Sequence, residues 1–344
     1  MAIEFRPALP REDIADATPA QASDPALRPQ RFVEFTGQPA LIRNLTTAVT
    51  AARQRNEALD HVLLSGPPGL GKTTLAQIIA HELGRGFHAS SGPALDRPSD
   101  LVGLLTTLAT GDVLFIDEIH RLPRAVEEYL YGAMEDFKLV IMLDKGANAR
   151  SVPLELAPFT LVGATTREGL LSAPFRARFG VQERIDLYAS ADLASIASEA
   201  ARRLGLQLDQ EAALMLAQRS RGTPRLVLRL VRRVRDHVQV AGAATADARL
   251  TAEALERLGL DERGLMLQDR RLLEVLARAG LNGTGLKAIA VALGEDERTI
   301  EDVHEPYLIR EGLIARTPRG RVLTAAGAEL AGMQAAEGAL PLEP

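Results

Sequence analysis

The chain changes its hydrophobic rhythm twice. From Leu27 to about Tyr188, short apolar runs alternate with stretches of helical spacing, the pattern of a parallel α/β sheet covered by helices. His61-Val62-Leu63-Leu64 reads as a short strand, with a helix from Thr73 to Leu83 after it. Asp112 to Ile116 reads as a second buried strand, and Phe159 to Gly163 as a third that runs into Ala164-Thr165-Thr166-Arg167. After Tyr188 the strand signals stop. Leu193, Ile196, Ala197, Ala200 and Leu204 keep helical spacing, with Ser190 as the expected N-cap. A second helix covers Asp209 to Arg219. A third opens with Thr223 as N-cap and Pro224 at the first helical position, and Val227, Leu230, Val231, Val234 and Val238 form its apolar face. From about Leu260, helical patterns at Arg270 to Arg278, Gly285 to Leu293 and Glu297 to Glu311 precede two short apolar runs. Those runs flank the turn Thr317-Pro318-Arg319-Gly320. Three helices and a hairpin describe a winged helix. The expected organisation is therefore a tail at 1–26, an α/β domain at 27–188, a small helical domain at 189–259, a winged-helix domain at 260–330 and a tail at 331–344.

Composition narrows the class without naming a partner. The 344 residues leave room for two or three cores, and 46% hydrophobic with 25% charged residues is ordinary for a soluble globular protein. No apolar run approaches the roughly 20 residues that cross a bilayer. The first 25 residues hold charges and prolines but no apolar signal core, so secretion is not expected and a cytoplasmic location is. The absence of cysteine excludes a disulfide framework and any thiolate metal site. A formal charge of -5 does not advertise nucleic-acid binding, yet a local basic patch binds phosphate whatever the total.

Two stretches carry chemistry. Gly66-Pro67-Pro68-Gly69-Leu70-Gly71-Lys72-Thr73-Thr74 matches the phosphate-binding loop pattern, between a strand and a helix. Glycines let successive backbone N–H groups turn inward around phosphate oxygens at the positive end of a helix. Lys72 is then placed to neutralise the β- and γ-phosphates of a nucleoside triphosphate, and Thr73 to ligate Mg²⁺. Leu114-Phe115-Ile116-Asp117-Glu118 is an apolar strand ending in two carboxylates. Asp117 suits the water shell of Mg²⁺, and Glu118 suits a general base acting on the attacking water. A kinase would aim its base at a substrate hydroxyl instead, and these residues alone leave that open. Arg178, in Pro174-Phe175-Arg176-Ala177-Arg178-Phe179-Gly180, and Arg225, in a first helical turn where its charge opposes the dipole, both look like anion ligands and weigh against a simple kinase.

Together with Leu27-Arg28-Pro29, Phe115 to Leu122, Met134-Glu135-Asp136-Phe137, Gly163 to Arg167, Gly222 to Arg225 and Arg316 to Arg321, these motifs resemble the AAA+ ATPases. Among them they resemble the RuvB family of bacterial Holliday-junction motors, over about Leu27 to Thr324. The resemblance implies ATP and Mg²⁺ as cofactors and a shared site in a homo-oligomeric ring, a hexamer. Leu27, Arg28 and Tyr188 would line the adenine end. Gly69, Gly71, Lys72, Thr73 and Thr74 would hold the phosphates, with Glu135, Asp136 and Phe137 near the nucleotide. Thr166 would be the first sensor, Arg225 the second, and Arg178 the arginine finger offered to a neighbour's ATP. The implied activity is ATP-driven branch migration of four-way junctions in recombination and DNA repair, with a RuvA-type partner and a RuvC-type resolvase.

In such proteins the region around Ala149 to Leu156 holds a hairpin that docks on the RuvA-type partner, so Val152 and Leu154 would supply its apolar tip. Both residues read equally well as core, and Pro153 between them cannot donate to a ladder, which sets strand pairing there against expectation. In the third domain the helix that would read a major groove is acidic (Glu295, Asp296, Glu297, Glu301, Asp302, Glu305), which argues against sequence readout. Arg316, Arg319 and Arg321 gather at the hairpin, with Arg298 nearby, and are expected to meet DNA phosphates. A solvated arginine-rich turn is the bland alternative. A clamp-loader-like switch ATPase, or a regulator that uses nucleotide only as a ligand, would share many of these features. The winged helix argues against the first, and the set Lys72, Asp117, Glu118 and Arg178 against the second.

Overall fold

The computed structural model describes residues 27–142, 151–280 and 283–332. The expected tail at 1–26, and all but two residues of the one at 331–344, lie outside the described residues. The chain divides into two compact units, one of residues 27–204 with 222–229 and one of 205–221 with 230–332. This division differs from the three expected modules: the first helix of the small helical region and residues 222–229 go with the α/β unit, and the rest of that region with the winged helix.

The first unit is built on a five-stranded parallel sheet, spatial order β2-β3-β6-β1-β7. Its strands are β1 (Val62–Ser65), β2 (Phe87–Ser91), β3 (Val113–Asp117), β6 (Thr160–Thr165) and β7 (Val181–Arg184). The three expected strands are its centre; β2 and β7, unmarked in the apolar pattern, are its edges. Strands β1 and β6 are buried along their whole length and β3 up to its last residue, which is why they read as apolar runs. Helices α1 (Pro39–Arg55), α2 (Lys72–Leu83), α3 (Pro98–Leu105), α4 (Arg124–Glu135), α5 (Ala173–Arg176) and α6 (Ser190–Arg203) complete the unit. Helix α6 begins at Ser190 itself, so the flanking cap is Ala189 and the expected serine cap does not form.

Between β3 and β6, β4 (Lys138–Met142) and β5 (Ser151–Glu155) form an antiparallel hairpin in which Val140 faces Pro153. Pairing therefore survives Pro153. The N–H of Leu156 donates to the carbonyl of Phe137, so hydrogen-bonded pairs alternate from that point. Val140–Pro153 then falls on a non-bonded pair, where the missing donor is not needed.

The second unit holds α7 (Gln210–Arg219) and α9 (Ala248–Arg257), joined by the two-residue parallel pair β8 (Gln207–Leu208) and β9 (Thr245–Ala246). Helix α8 (Pro224–Val240) lies between them in sequence. The winged helix follows: α10 (Leu267–Ala279), α11 (Leu286–Leu293), α12 (Glu297–Thr299), α13 (Glu305–Arg310), β10 (Ile314–Thr317), β11 (Gly320–Leu323) and α14 (Ala325–Leu330). The single helix expected from Glu297 to Glu311 is interrupted by a π-turn at Ile300–His304. Pro306 explains the interruption, since it has no N–H for an α-helical bond to residue 302. Leu265, Leu272, Leu273, Leu276, Ile289, Ile300 and Leu308 form the core. Beside it the buried Asp269 accepts hydrogen bonds from Arg221, from His304 Nδ1 (2.7 Å) and from Met266 N (2.7 Å). Burial pushes its pKa up, but the His304 bond and the Arg221 charge outweigh that and hold it low.

Candidate active site

Three adjacent parallel strands end in polar residues at the same edge: Ser65 on β1, Asp117 on β3 and Thr165 on β6. The turn after β1 is the glycine loop, and its backbone requires glycine. Gly66 has φ +138, and a Cβ there would lie 2.3 Å from the Ile185 carbonyl oxygen. Gly71 has φ +102, and a Cβ there would meet the Phe35 ring at 3.4 Å. Lys72 opens α2 with its ammonium buried, donating to the carbonyls of Gly66 and Pro67 at 2.8 Å each. Burial lowers its pKa, Asp117 and Glu118 oppose that, and Arg225 adds to it. A buried ammonium on two neutral carbonyls, beside a turn of backbone donors, is matched to phosphate oxygens. Thr73 and Thr74 follow in the first helical turn, both half-buried.

The expected lid residue comes to this loop. Arg225 N–H donates to the Gly69 carbonyl at 3.2 Å, and a Cβ on Gly69 would lie 3.0 Å from Arg225 Cβ. Arg28 donates to Gln77 Oε1 at 3.2 Å; burial and then the Arg225 charge lower its pKa, so two guanidiniums share one neighbourhood. Tyr188 is buried with its hydroxyl on the Leu70 carbonyl (3.1 Å), and burial followed by Asp192 raises its pKa. Leu27 is buried as well. Phe35, against Gly71, was not marked by any sequence pattern; a lone aromatic before a helix carries no such signal.

At the end of β3, Asp117 Oδ1 accepts the N–H of Glu118 at 2.9 Å. Glu118 adopts a left-handed backbone (φ +50), a strain of about 1–2 kcal/mol for a residue with a Cβ. Gly92 lets a neighbouring turn close on it, since a Cβ there would lie 2.4 Å from the Glu118 carbonyl oxygen. Thr166 follows β6 directly and is half-buried, and the Gly66 N–H donates to the Thr165 carbonyl at 3.1 Å. Lys72, Asp117, Glu118, Thr166 and Arg225 are thus gathered around one loop. Among the described residues no cluster of three or more His, Asp or Glu is placed to hold a metal by itself. Thr73 and Asp117 offer the oxygen donors that suit a Mg²⁺ which keeps waters and takes phosphate oxygens.

Arg178 is held elsewhere. It pairs with Glu135 at 2.9 Å, donates to the Pro174 carbonyl at 2.7 Å and lies over the Tyr131 ring at 4.3 Å. Glu135 and Asp136 are exposed at the end of α4. Phe137 packs its ring edge-on against His61 and Phe159 at the margin of the core.

The hairpin and the wing also redistribute expected roles. Val152 is 43% and Val140 56% exposed, whereas Leu154 packs against the core, so among the described residues of the hairpin the open apolar surface is Val140, Pro153 and Val152. On the wing, Arg321 is only 14% exposed and its Nε donates to Oε1 of the fully buried Glu305 at 2.6 Å. Arg316, 52% exposed, donates to Oε2 of the same carboxylate at 2.6 Å. These two arginines were expected on phosphate; burial of Glu305 commits Arg321 to it and engages Arg316. Arg319, at the turn, and Arg298 are exposed.

The comparisons bear on residues 27–331. Its residues 27–185 match the family model described as Holliday junction DNA helicase RuvB P-loop domain, 188–261 match RuvB AAA lid domain, and 262–331 match RuvB C-terminal winged helix domain. The "Holliday junction branch migration complex subunit RuvB" of Chlorobaculum tepidum is 54% identical over 310 residues, 90% of each chain. That of Myxococcus xanthus is 55% identical over 300 residues, 87% of this chain and 88% of the relative. A solved structure titled Thermotoga maritima RuvB Holliday junction branch migration motor superposes with a TM-score of 0.81 at 45% identity, covering 90% of this chain and 100% of that one. No helix among the described residues is long and apolar enough to cross a membrane. A nucleotide-binding glycine loop, a lid arginine bonded to it and a winged helix, each within a matched module, leave one assignment: the chain belongs to the RuvB family of AAA+ P-loop ATPases.

Proposed function

We propose that this chain is the motor subunit that drives branch migration of four-way DNA junctions in recombination and repair, acting in the cytoplasm as a homo-oligomeric ring with a RuvA-type partner. The observation that carries the reading is the consecutive match of all three RuvB modules over 27–331 around the glycine-loop site. Lys72 exchanges its two carbonyl partners for phosphate oxygens, while the loop N–H groups from Gly69 to Thr74 cradle the phosphates. Leu27, Arg28 and Tyr188 hold the adenine end. Thr73 and Asp117 would hold Mg²⁺, which neutralises phosphate charge when bound. Glu118 takes a proton from the attacking water, and Thr166 orients that water from the end of β6. Arg225 carries the state of the γ-phosphate into α8. Arg178, committed to Glu135 and Pro174 within its own subunit, is offered to the ATP of a neighbour; such fingers are worth about 10³–10⁵ in turnover. Arg319 and Arg298 contact DNA phosphates without reading sequence. Val140 and Val152 present the hairpin to the partner, and a RuvC-type resolvase acts on the same junction.

The test is conversion of a synthetic four-way junction into duplex arms with ATP and a RuvA-type protein. Conversion lost in Glu118→Gln and in Arg178→Ala, with ATP still bound by both, supports the reading. Conversion by either variant at the wild-type rate overturns it.

A further inference from the structure

His120 lies two residues beyond Glu118 in a short turn, with its side chain 6% exposed. Its ring joins two parts of the site. Nδ1 lies 2.9 Å from Thr165 Oγ1, and Nε2 lies 3.4 Å from Glu118 Oε2. Thr165 is the fully buried last residue of β6, next to Thr166, and its hydroxyl oxygen accepts the Arg167 N–H at 3.0 Å. Those contacts fix the proton order. If the ring carried its proton on Nδ1, the buried Thr165 hydroxyl proton would lose its acceptor, and a ring lone pair would face the Glu118 carboxylate. The Thr165 hydroxyl therefore donates to Nδ1, and Nε2–H points at Glu118. Burial, aided by the charges of Arg167 and Arg121 and opposed by those of Glu118 and Asp117, lowers the ring pKa, in keeping with a neutral imidazole. The turn is fixed from below: a Cβ on Gly163 would lie 2.8 Å from Ile119 Cδ1, so glycine in β6 lets the turn bearing His120 seat against that strand.

We propose that His120 is a positioning residue for ATP hydrolysis: anchored to β6 through Thr165, it keeps the Glu118 carboxylate in register with the strand end that bears Thr166. The inference rests on the reading of Glu118 as general base. At 3.4 Å the contact is longer than an ordinary N–H···O bond, so it guides the carboxylate without retaining it. Displacement of the β6 end is felt at the base, and the water-orienting residue and the proton acceptor move as one.

The experiment measures DNA-stimulated ATP hydrolysis and equilibrium ATP binding on the full chain for His120→Leu, Thr165→Val, their double, His120→Gln and Glu118→Gln. His120→Leu and Thr165→Val are each expected to lower kcat by about 10- to 100-fold, the scale of a small misplacement, with KM and Kd for ATP within about twofold. The double is expected to be no slower than the worse single, because both break one relay. His120→Gln keeps a side-chain donor and is expected to recover most of kcat. Wild-type kcat in both singles, or losses that multiply in the double, would overturn the inference. Loss of ATP binding in the isosteric Thr165→Val would also overturn it, in favour of a purely structural role. If His120→Leu does not fold, Thr165→Val decides alone. Wild-type turnover in Glu118→Gln removes the base assignment itself and this inference with it. A dead Glu118→Gln beside normal His120 variants removes this inference only.

Discussion

Replacing Arg321 with alanine separates a structural arginine from a DNA-binding one. Glu305 is fully buried; Arg321 holds its Oε1 at 2.6 Å, and Arg316 holds Oε2 at 2.6 Å. Arg321 also reaches Glu301 at 3.3 Å. Breaking a buried ion pair by removing one partner typically costs about 3–5 kcal/mol, because the remaining charge stays buried. Arg316 still serves the other oxygen in Arg321→Ala, so the expected loss is smaller, about 2–3 kcal/mol. For a unit of this size each kcal/mol lowers the melting temperature by about 3–6 °C, giving a fall of about 6–18 °C. Arg319→Ala removes an exposed side chain, so its stability should hold within about 0.5 kcal/mol. Its DNA affinity should drop about equally for all sequences, with a salt slope lower by about 1. Calorimetry on both variants, paired with salt-dependent binding to duplex DNA, checks the contrast. An Arg321→Ala protein that melts like wild type yet binds DNA poorly would refute the reasoning.

Three further outcomes are expected. Gly66→Ala forces a Cβ to 2.3 Å from the Ile185 carbonyl at φ +138, so it should lose more than about 2 kcal/mol of stability together with ATP binding; a wild-type melting temperature contradicts this. His61 accepts the Leu161 N–H on Nδ1 (2.9 Å) and reaches the Met134 carbonyl with Nε2 (3.1 Å), so both ring nitrogens are used in the neutral form. Burial, opposed by Met134 and Asp60, lowers its pKa; the folded chain then binds fewer protons than the unfolded one below about pH 6.5, and stability falls as pH drops through that value. Melting followed from about pH 7.5 to about pH 5.5 should show that fall, with a shallower slope in His61→Gln, and a flat wild-type profile counts against it. Val140→Asp with Val152→Asp should abolish co-purification with a RuvA-type protein while leaving ATP turnover and melting within error; retained co-purification removes the hairpin assignment.

What the sequence made legible was the part of the fold whose signal is local. Strands β1, β3 and β6 are continuous apolar runs because both faces are covered, and the glycine loop is written in the backbone demands of Gly66 and Gly71. The edge strands β2 and β7 are half-exposed segments, Phe-His-Ala-Ser-Ser and Val-Gln-Glu-Arg, whose only strand evidence is their pairing with β3 and β1. The arginines of the wing were legible as a charge cluster, but not their partner: Glu305 lies eleven residues before Arg316 and sixteen before Arg321, behind the π-turn. The same blindness hid His120, which gains its meaning from Thr165, 45 residues downstream. Leu154 and Phe137 each sit in a segment of mixed polarity, where one residue can face the core and the next the solvent. Local composition does not say which.

The distribution of rigidity in the site follows from the strands. In β1, β3 and β6 the strand bodies are buried and the last position carries a polar side chain: Ser65, Asp117 and Thr165. Parallel pairing sets Ser65 beside Thr165, and the register of β3 brings Asp117 within one residue of that level, so the residues proposed to meet phosphate and water follow directly from the least deformable part of the molecule. The residues proposed to act on the attacking water and on a neighbour's ATP are attached differently. Glu118 takes a left-handed backbone, with His120 no nearer to its carboxylate than 3.4 Å, and Arg178 rests on an ion pair whose carboxylate is mostly in water, on the Pro174 carbonyl and on the Tyr131 ring. If Arg178 serves another subunit's ATP as proposed, it must leave all three contacts, and its one charged partner, Glu135, is exposed to water.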